Sequence, residues 1–197
     1  MKEKTQSHAC KFMGLPALFT AVCWMLALTV GASAQEPAPW LEFAPSGENF
    51  SVSLPQPPKE EPLTTIHGDL HVSGTWYTTG NSFAFYAIWS LADLNNTQRN
   101  DPDRYLDTAA ELFWGVLVKY ARARARDLSD TPAGVAYTKE LAANPLPGRE
   151  YSVSFGKLSG TVHIYVSRER IFVLLAADTA EAPPQRTPFL SSFKVSP

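Results

Sequence analysis

The segment from Ser82 to Leu91 constrains the fold of this chain more than any other, because both of its faces are apolar. In an extended strand, successive side chains point to opposite faces of the sheet. One face of this segment carries Phe83, Phe85, Ala87 and Trp89, and the other carries Ala84, Tyr86 and Ile88. A strand with two apolar faces needs cover on both of them. The sequence therefore predicts a central strand with a further layer on each side.

Alternating apolar and polar residues mark further strands along the chain. Pro and Gly bound these runs, as expected for strands that are joined by turns. The runs are Trp40–Leu54, which doubles back at Pro45–Gly47, and then Leu70–Thr78, Gly134–Leu141, Arg149–Phe155, Thr161–Val166 and Ile171–Ala177. A Pro-rich stretch, Pro55–Pro62, follows the first run. Because proline has no backbone N–H to offer a sheet interior, this stretch is predicted to be an edge strand or a loop.

One long helix is predicted to start near Asp101 and to run to about Arg126. Asp101 is a good N-cap, and Pro102 suits the first helical position. Apolar residues then recur at steps of three and four, which gives the helix one apolar face. Gly115 falls inside this helix and is interpreted as a point of close approach to the sheet. A second, short helix or turn is predicted over Pro188–Phe193.

Residues 1–34 have the pattern of a secretory signal peptide. A basic start precedes a mostly apolar run, Phe12–Val30, and Ala32-Ser33-Ala34 forms a small-x-small cleavage box. Cleavage after Ala34 would leave a short tether, residues 35–39, before a single domain, residues 40–197. The protein is therefore predicted to be exported, and to be periplasmic or secreted. The alternative is a retained membrane anchor, since the run is close to the length that spans a bilayer.

Charge and cysteine content argue against several kinds of chemistry. The net charge of −2 argues against a nucleic-acid partner, which requires a clustered basic surface. Both cysteines, Cys10 and Cys23, lie in the leader, so the exported chain would have neither a disulfide nor a thiolate. The chain also has no Gly-x-Ser-x-Gly nucleophile motif and no Gly-rich phosphate loop. No catalytic residue and no cofactor are therefore predicted.

Four segments, in this order, resemble the PsbP/Mog-like family. They are WLEFAPSGENFSVSLPQPP at Trp40–Pro58, GREY at Gly148–Tyr151, RIFVLL at Arg170–Leu175 and FLSSF at Phe189–Phe193. The resemblance implies an α+β fold, in which an antiparallel sheet of about six strands is sandwiched by one long helix and short flanking helices. Members of the family are mostly exported bacterial proteins, photosystem-lumen proteins and a nuclear-transport factor. Because one fold can serve unrelated roles, the resemblance does not name a partner.

His67, Asp69 and His71 are the candidate metal ligands. On one strand, side chains at these three positions would point to the same face. Two imidazoles and a carboxylate would suit zinc or non-haem iron with open coordination positions. The alternative is a solvated polar face, and Gly68 offers a point at which the strand could break. A metal-binding or metal-dependent envelope protein is therefore the alternative function.

Two further side chains have open interpretations. His163 lies between apolar neighbours on a predicted strand, and a hydrogen-bonded strand histidine is favoured there over a catalytic one. Trp40 heads the first hairpin and either packs on the core, which is favoured, or belongs to an exposed aromatic patch that would bind a partner.

The sequence favours an exported, non-catalytic accessory or binding protein. Its partner is expected to be a protein, which would contact either one sheet face or the Pro55–Pro62 loop. Contact with a membrane is expected only if the leader is retained.

Overall fold

Ten strands and two helices are found in the residues that the computed structural model describes, which are 39–95, 101–124, 134–141, 145–155, 157–180 and 186–196. These elements belong to one unit of the chain, Ala38–Pro197. The strands are β1 (Leu41–Phe43), β2 (Phe50–Leu54), β3 (Lys59–His67), β4 (Leu70–Gly80), β5 (Ala84–Asp93), β6 (Gly134–Leu141), β7 (Gly148–Phe155), β8 (Leu158–Val166), β9 (Arg170–Thr179) and β10 (Lys194–Val195). The helices are α1 (Pro102–Arg124) and α2 (Arg186–Ser191).

The strands form two antiparallel sheets, and this corrects the predicted fold class. The larger sheet has seven strands in the order β3-β4-β5-β9-β8-β7-β6, and the smaller has three in the order β1-β2-β10. The prediction of an α+β fold, with one sheet of about six strands, one long helix and short flanking helices, is therefore wrong. The described chain is mostly sheet, and α1 is its only helix of seven or more residues. The first hairpin does not extend the larger sheet. Its apolar residues Phe50, Val52 and Leu54 pack in a core layer with residues of that sheet, and β2 pairs with β10.

The prediction did not include β3 as a regular strand, although it allowed an edge strand over part of it. Glu60, Glu61 and Pro62 interrupt the alternation of apolar and polar residues that would mark a strand there. Pro62 pairs with Thr75 of β4, and β3 has no neighbour on its other side within the described residues. An edge strand tolerates proline, and its charged residues discourage pairing with other chains.

The predicted central strand is confirmed. β5 lies between β4 and β9, and it is covered on both faces. On one face, Trp89 packs against Trp76 of β4 and Phe113 of α1, with ring centroids 5.5 and 5.1 Å apart. On the other face, Tyr86 packs against Phe189 of α2, with centroids 5.3 Å apart. The core is therefore two apolar layers that share the larger sheet.

Trp40 lies against the second of these layers. It is half-buried, and its ring meets Tyr86 edge-on with centroids 5.5 Å apart. The favoured interpretation, in which Trp40 packs on the core, agrees with this position.

The start of α1 is confirmed, and the interpretation of Gly115 is wrong. Asp101 caps the helix, since its Oδ1 accepts a hydrogen bond from the backbone N–H of Arg104 at 3.1 Å. Gly115 is exposed, and a Cβ added there would meet no atom within 4 Å. The close approach occurs at Gly74 instead, where an added Cβ would lie 2.9 Å from the Cα of Leu91.

A charged cluster fastens the first hairpin to the larger sheet. Glu48, in the turn between β1 and β2, forms an ion pair with Arg170 of β9. The fully buried hydroxyl of Ser90 donates to the same carboxylate at 2.5 Å and accepts from Arg170 at 2.9 Å. Because each polar group is paired, burying the cluster does not leave a donor or acceptor unsatisfied.

The predicted leader and most of the tether lie outside the described residues, so cleavage near Ala34 stays a prediction. The same applies to the end of the long helix at about Arg126. Neither α1 nor α2, the helices of the described residues, combines the length and the apolar character that crossing a membrane requires.

Candidate functional site

The three candidate metal ligands do not share a strand. His67 is the last residue of β3, Gly68 and Asp69 form the turn, and His71 belongs to β4. His67 pairs with Leu70 and His71 pairs with Ile66, so the two imidazoles lie on opposite faces of the sheet. The expected common face is therefore wrong, because Gly68, at φ 56°, lets the chain reverse there.

His67 has a partner in α1 instead. Its Nε2 lies 3.0 Å from Oε2 of Glu111; the side chain of Glu111 is largely exposed and that of His67 is partly exposed. Within the part of the chain that the structure describes, no three His, Cys, Asp or Glu residues are grouped so that they could hold a metal ion.

A second candidate binding surface is the face of β6, β7 and β8 that points away from α1. We call it the polar wing, and it comprises Ala136, Ser152, Ser154, Ser159 and Thr161. Cross-strand pairs align Ser152 with Ala136 and Thr161, and Ser154 with Ser159. All five residues are exposed except Thr161, which is half-buried. On β7 and β8, the opposite face carries Tyr151, Val153, Val162 and Ile164, which belong to the core beneath α1. The wing is therefore a hydroxyl-rich surface of the larger sheet.

A β-bulge brings Lys139 to the polar-wing side. The register of β6 against β7 shifts between Tyr137 and Lys139, so Lys139 pairs with Glu150. Regular alternation from Ala136 would place Lys139 on the α1 side and Glu140 on the wing. The extra residue reverses this, as bulges near functional surfaces commonly do. Glu140 consequently lies 2.8 Å from Nε of Arg149, which binds Asp103 and Asp107 of α1.

A pocket of about 500 Å³ lies where the polar wing meets α2. β6 contributes Lys139, β7 contributes Glu150, and β8 contributes Thr161, His163 and Tyr165 to its lining. Helix α2 and the residues after it contribute Arg186, Thr187, Leu190, Ser191 and Phe193. Polar groups from four elements therefore converge on one concave site, which is typical of a binding site.

Three side chains in this pocket form a hydrogen-bonded chain. Nε2 of His163 lies 3.0 Å from Oε2 of Glu150, and Nδ1 lies 3.3 Å from the hydroxyl of Tyr165. Because a carboxylate only accepts, Nε2 carries the proton and Nδ1 accepts from Tyr165. The same Oε2 of Glu150 lies 3.5 Å from Nζ of Lys139. His163 is thus a hydrogen-bonded strand histidine, the favoured interpretation of the sequence.

Burial keeps both ring systems uncharged near neutral pH. It lowers the pKa of His163, although the hydrogen bond and the charge of Glu150 oppose this effect. It also raises the pKa of Tyr165 to about 12, with a further contribution from Glu150. The Tyr165 phenol therefore stays protonated and is a hydrogen-bond donor.

Gly148 leaves room for the Tyr165 ring. A Cβ at position 148 would lie 2.7 Å from Cε1 of Tyr165, closer than real side chains pack. On its other side, the Tyr165 ring stacks on Phe193, with centroids 5.3 Å apart and an interplanar angle of 19°. The hydroxyl of Tyr165 is therefore held beside His163 by close packing.

Arg186 supplies the second cation of the pocket. Its Nε donates to Oδ2 of Asp178 at 2.7 Å, and its Nη2 donates to Oγ of Ser159 at 2.8 Å. The hydrogen bond with Asp178 raises the pKa of Arg186, so the guanidinium stays charged. Asp178 itself is buried and does not line the pocket.

Acidification is expected to destabilise the protein through His163. Its folded-state pKa is lowered, so below the ordinary value of 6.5 the unfolded chain binds more protons than the folded protein. The free energy of unfolding should then fall with decreasing pH, by at most about 1.4 kcal/mol per pH unit, until the folded-state pKa is reached. Urea denaturation at several pH values measures this slope. His163→Gln should flatten it below pH 6.5, and parallel curves for the two proteins would contradict the assignment.

Sequence reasoning missed most of this site. It singled out His163 but not Lys139, Glu150, Tyr165 or Arg186. One usable signal was present, since Ser152, Ser154, Ser159, Thr161 and His163 alternate with apolar residues over β7 and β8. Such alternation marks one polar face.

Comparison with known proteins leaves the family undecided. No protein-family model matches the chain. A search of curated proteins found no similar sequence. The resemblance to the PsbP/Mog-like family therefore stays a prediction.

Proposed function

We propose that this protein is an exported, non-catalytic binding protein that engages a protein partner through the polar wing. The predicted leader supports export. Of the two contact regions that the sequence suggested, a sheet face is favoured over the Pro55–Pro62 loop.

The polar wing carries this proposal. Its residues Ser152, Ser154 and Ser159 are exposed on strands whose other face packs in the core, so that their hydroxyl groups are presented together on one side of the sheet. Hydroxyl groups both donate and accept hydrogen bonds, which suits recognition of a polar protein surface. The adjoining pocket adds a concave feature that gives a partner a defined position.

The groups in the pocket support binding in preference to catalysis. The Tyr165 phenol is held protonated, and Glu150 is engaged by His163 and Lys139. A nucleophile is activated by a lowered pKa or by an adjacent base; His163 lies beside the Tyr165 hydroxyl, but the pKa of Tyr165 is raised. The raised pKa of Tyr165 works against that role.

Capture of a partner from the cell envelope tests the proposal. The tagged, exported protein should retain one partner in a stoichiometric amount after mild crosslinking. Ser152→Arg should abolish capture, because the long cation blocks the centre of the polar wing. Thr64→Arg is the matched control, since Thr64 is also an exposed strand hydroxyl residue but lies on β3 at the other edge of the sheet. Equal capture by both variants would refute the polar wing as the contact surface.

A further inference from the structure

The pocket contains two cations, Lys139 and Arg186, which are linked to opposite ends of the β8 segment from Ser159 to His163. Lys139 lies beside Glu150, which binds His163, whereas Arg186 binds Ser159. Ser159 and His163 are four residues apart on β8, a separation of about 13 Å at the usual rise of a strand. A single carboxylate cannot bridge this distance, but an extended chain can.

Both cations retain hydrogen-bonding capacity. The side chain of Lys139 is 61% exposed, and its contact with Glu150, at 3.5 Å, is long. Arg186 uses Nε and Nη2 for Asp178 and Ser159, and its Nη1 takes part in none of the contacts found among the described residues. Thr161, Thr187 and Ser191 also line the pocket with hydroxyl groups. The site therefore offers donors on two cations beside hydroxyl groups that can donate or accept.

We propose that the pocket binds an extended acidic segment of the partner, with one carboxylate at Lys139 and a second, four residues along the segment, at Arg186. Residues i and i+4 of an extended chain face the same way and lie about 13 Å apart, the same separation along a strand as Ser159, which contacts Arg186, and His163, which is linked to Lys139 through Glu150. Carboxylates also form the strongest hydrogen bonds with guanidinium and ammonium groups. This inference rests on the proposed function, because it identifies what part of the partner the site recognises.

A labelled pentapeptide is the probe. It carries glutamate at its first and fifth positions and alternating threonine and valine between them, and its binding is followed by fluorescence anisotropy at low ionic strength. Lys139→Glu should weaken binding at least about fivefold, as removal of a charge pair and introduction of repulsion predict. Lys119→Glu is the control of equal charge change, since Lys119 is exposed on α1, on the other side of the sheet. It should change the affinity by less than about twofold, because screening weakens distant charges.

Two altered peptides test the spacing and the charge. A peptide with glutamine at both ends, and one with its two glutamates adjacent, should each bind more weakly than the probe. Of two peptides with lysine in place of one glutamate, at the first or at the fifth position, one should regain affinity for the Lys139→Glu variant. Equal binding of the glutamate and glutamine peptides, or equal effects of Lys139→Glu and Lys119→Glu, would overturn the inference.

The same variants separate this inference from the proposed function. If Ser152→Arg abolishes capture of the envelope partner and Lys139→Glu leaves it intact, the polar wing binds the partner but the acidic-segment inference fails. If neither variant lowers capture, the proposed function itself fails.

Discussion

Replacement of Gly74 by alanine should destabilise the protein by about 3 kcal/mol, near the upper end of the usual cost of overpacking. Gly74 lies in β4, where a Cβ would meet the backbone carbonyl of Ser90 and lie 2.9 Å from the Cα of Leu91. Both of these atoms belong to the backbone of β5, which cannot rotate away as a side chain could. Relief requires that β4 and β5 separate in the middle of the larger sheet. Equilibrium denaturation with urea, followed by circular dichroism, measures the loss.

Gly115→Ala is the matched control, and its effect should have the opposite sign. Gly115 is exposed in α1, and an added Cβ would meet nothing within 4 Å. Alanine is favoured over glycine in a helix interior, so stability should rise by as much as about 1 kcal/mol. A change of less than about 0.5 kcal/mol in the free energy of unfolding of Gly74→Ala would contradict the expected clash between the added Cβ and the backbone of β5.

Truncation of Trp89 to alanine should cost about 3–5 kcal/mol, the range for a large buried aromatic residue. Trp89 is 1% exposed and lies at the centre of the layer beneath α1. Its ring contacts Trp76 on the neighbouring strand and Phe113 on the helix, so alanine would leave a cavity between the sheet and α1. The same urea titration reports the change.

Trp89→Phe is the control for this cavity. Phenylalanine keeps an aromatic ring between Trp76 and Phe113 and loses only part of the volume, so its cost should be clearly smaller than that of alanine. Equal losses for the two variants would contradict this explanation, because the cost would then not follow the volume removed between the sheet and α1.

The strands were largely predictable because their patterns are local. The alternation over β4, β7 and β8 and the two apolar faces of β5 each follow from the period of two along a strand. The N-cap at Asp101 was equally local, since the cap requires only a suitable side chain before the helix. The assignment of strands to sheets was not predictable in this way. Pairing of β2 with β10 joins residues that are far apart in the chain, and no local pattern encodes it.

The residues of the candidate site also differ in whether a local pattern could have identified them. Residues of the polar wing on β7 and β8 could have been found from alternation alone. Lys139 could not, because a bulge reverses its face, and Arg186 comes from a different element, α2. The error at His67, Asp69 and His71 has a related cause, since a turn at Gly68 separates residues that looked like one strand.

The sequence by itself determined that the chain forms antiparallel strands around a strand with two apolar faces, because side-chain alternation and the positions of Pro and Gly act over a few residues. Only the tertiary structure decided that these strands form two sheets, and that Lys139, Glu150, His163 and Arg186 line one pocket. Register, bulges and the packing of α2 depend on contacts between distant segments. These contacts are selected by burial of the whole core, and the residues around any one position do not specify them.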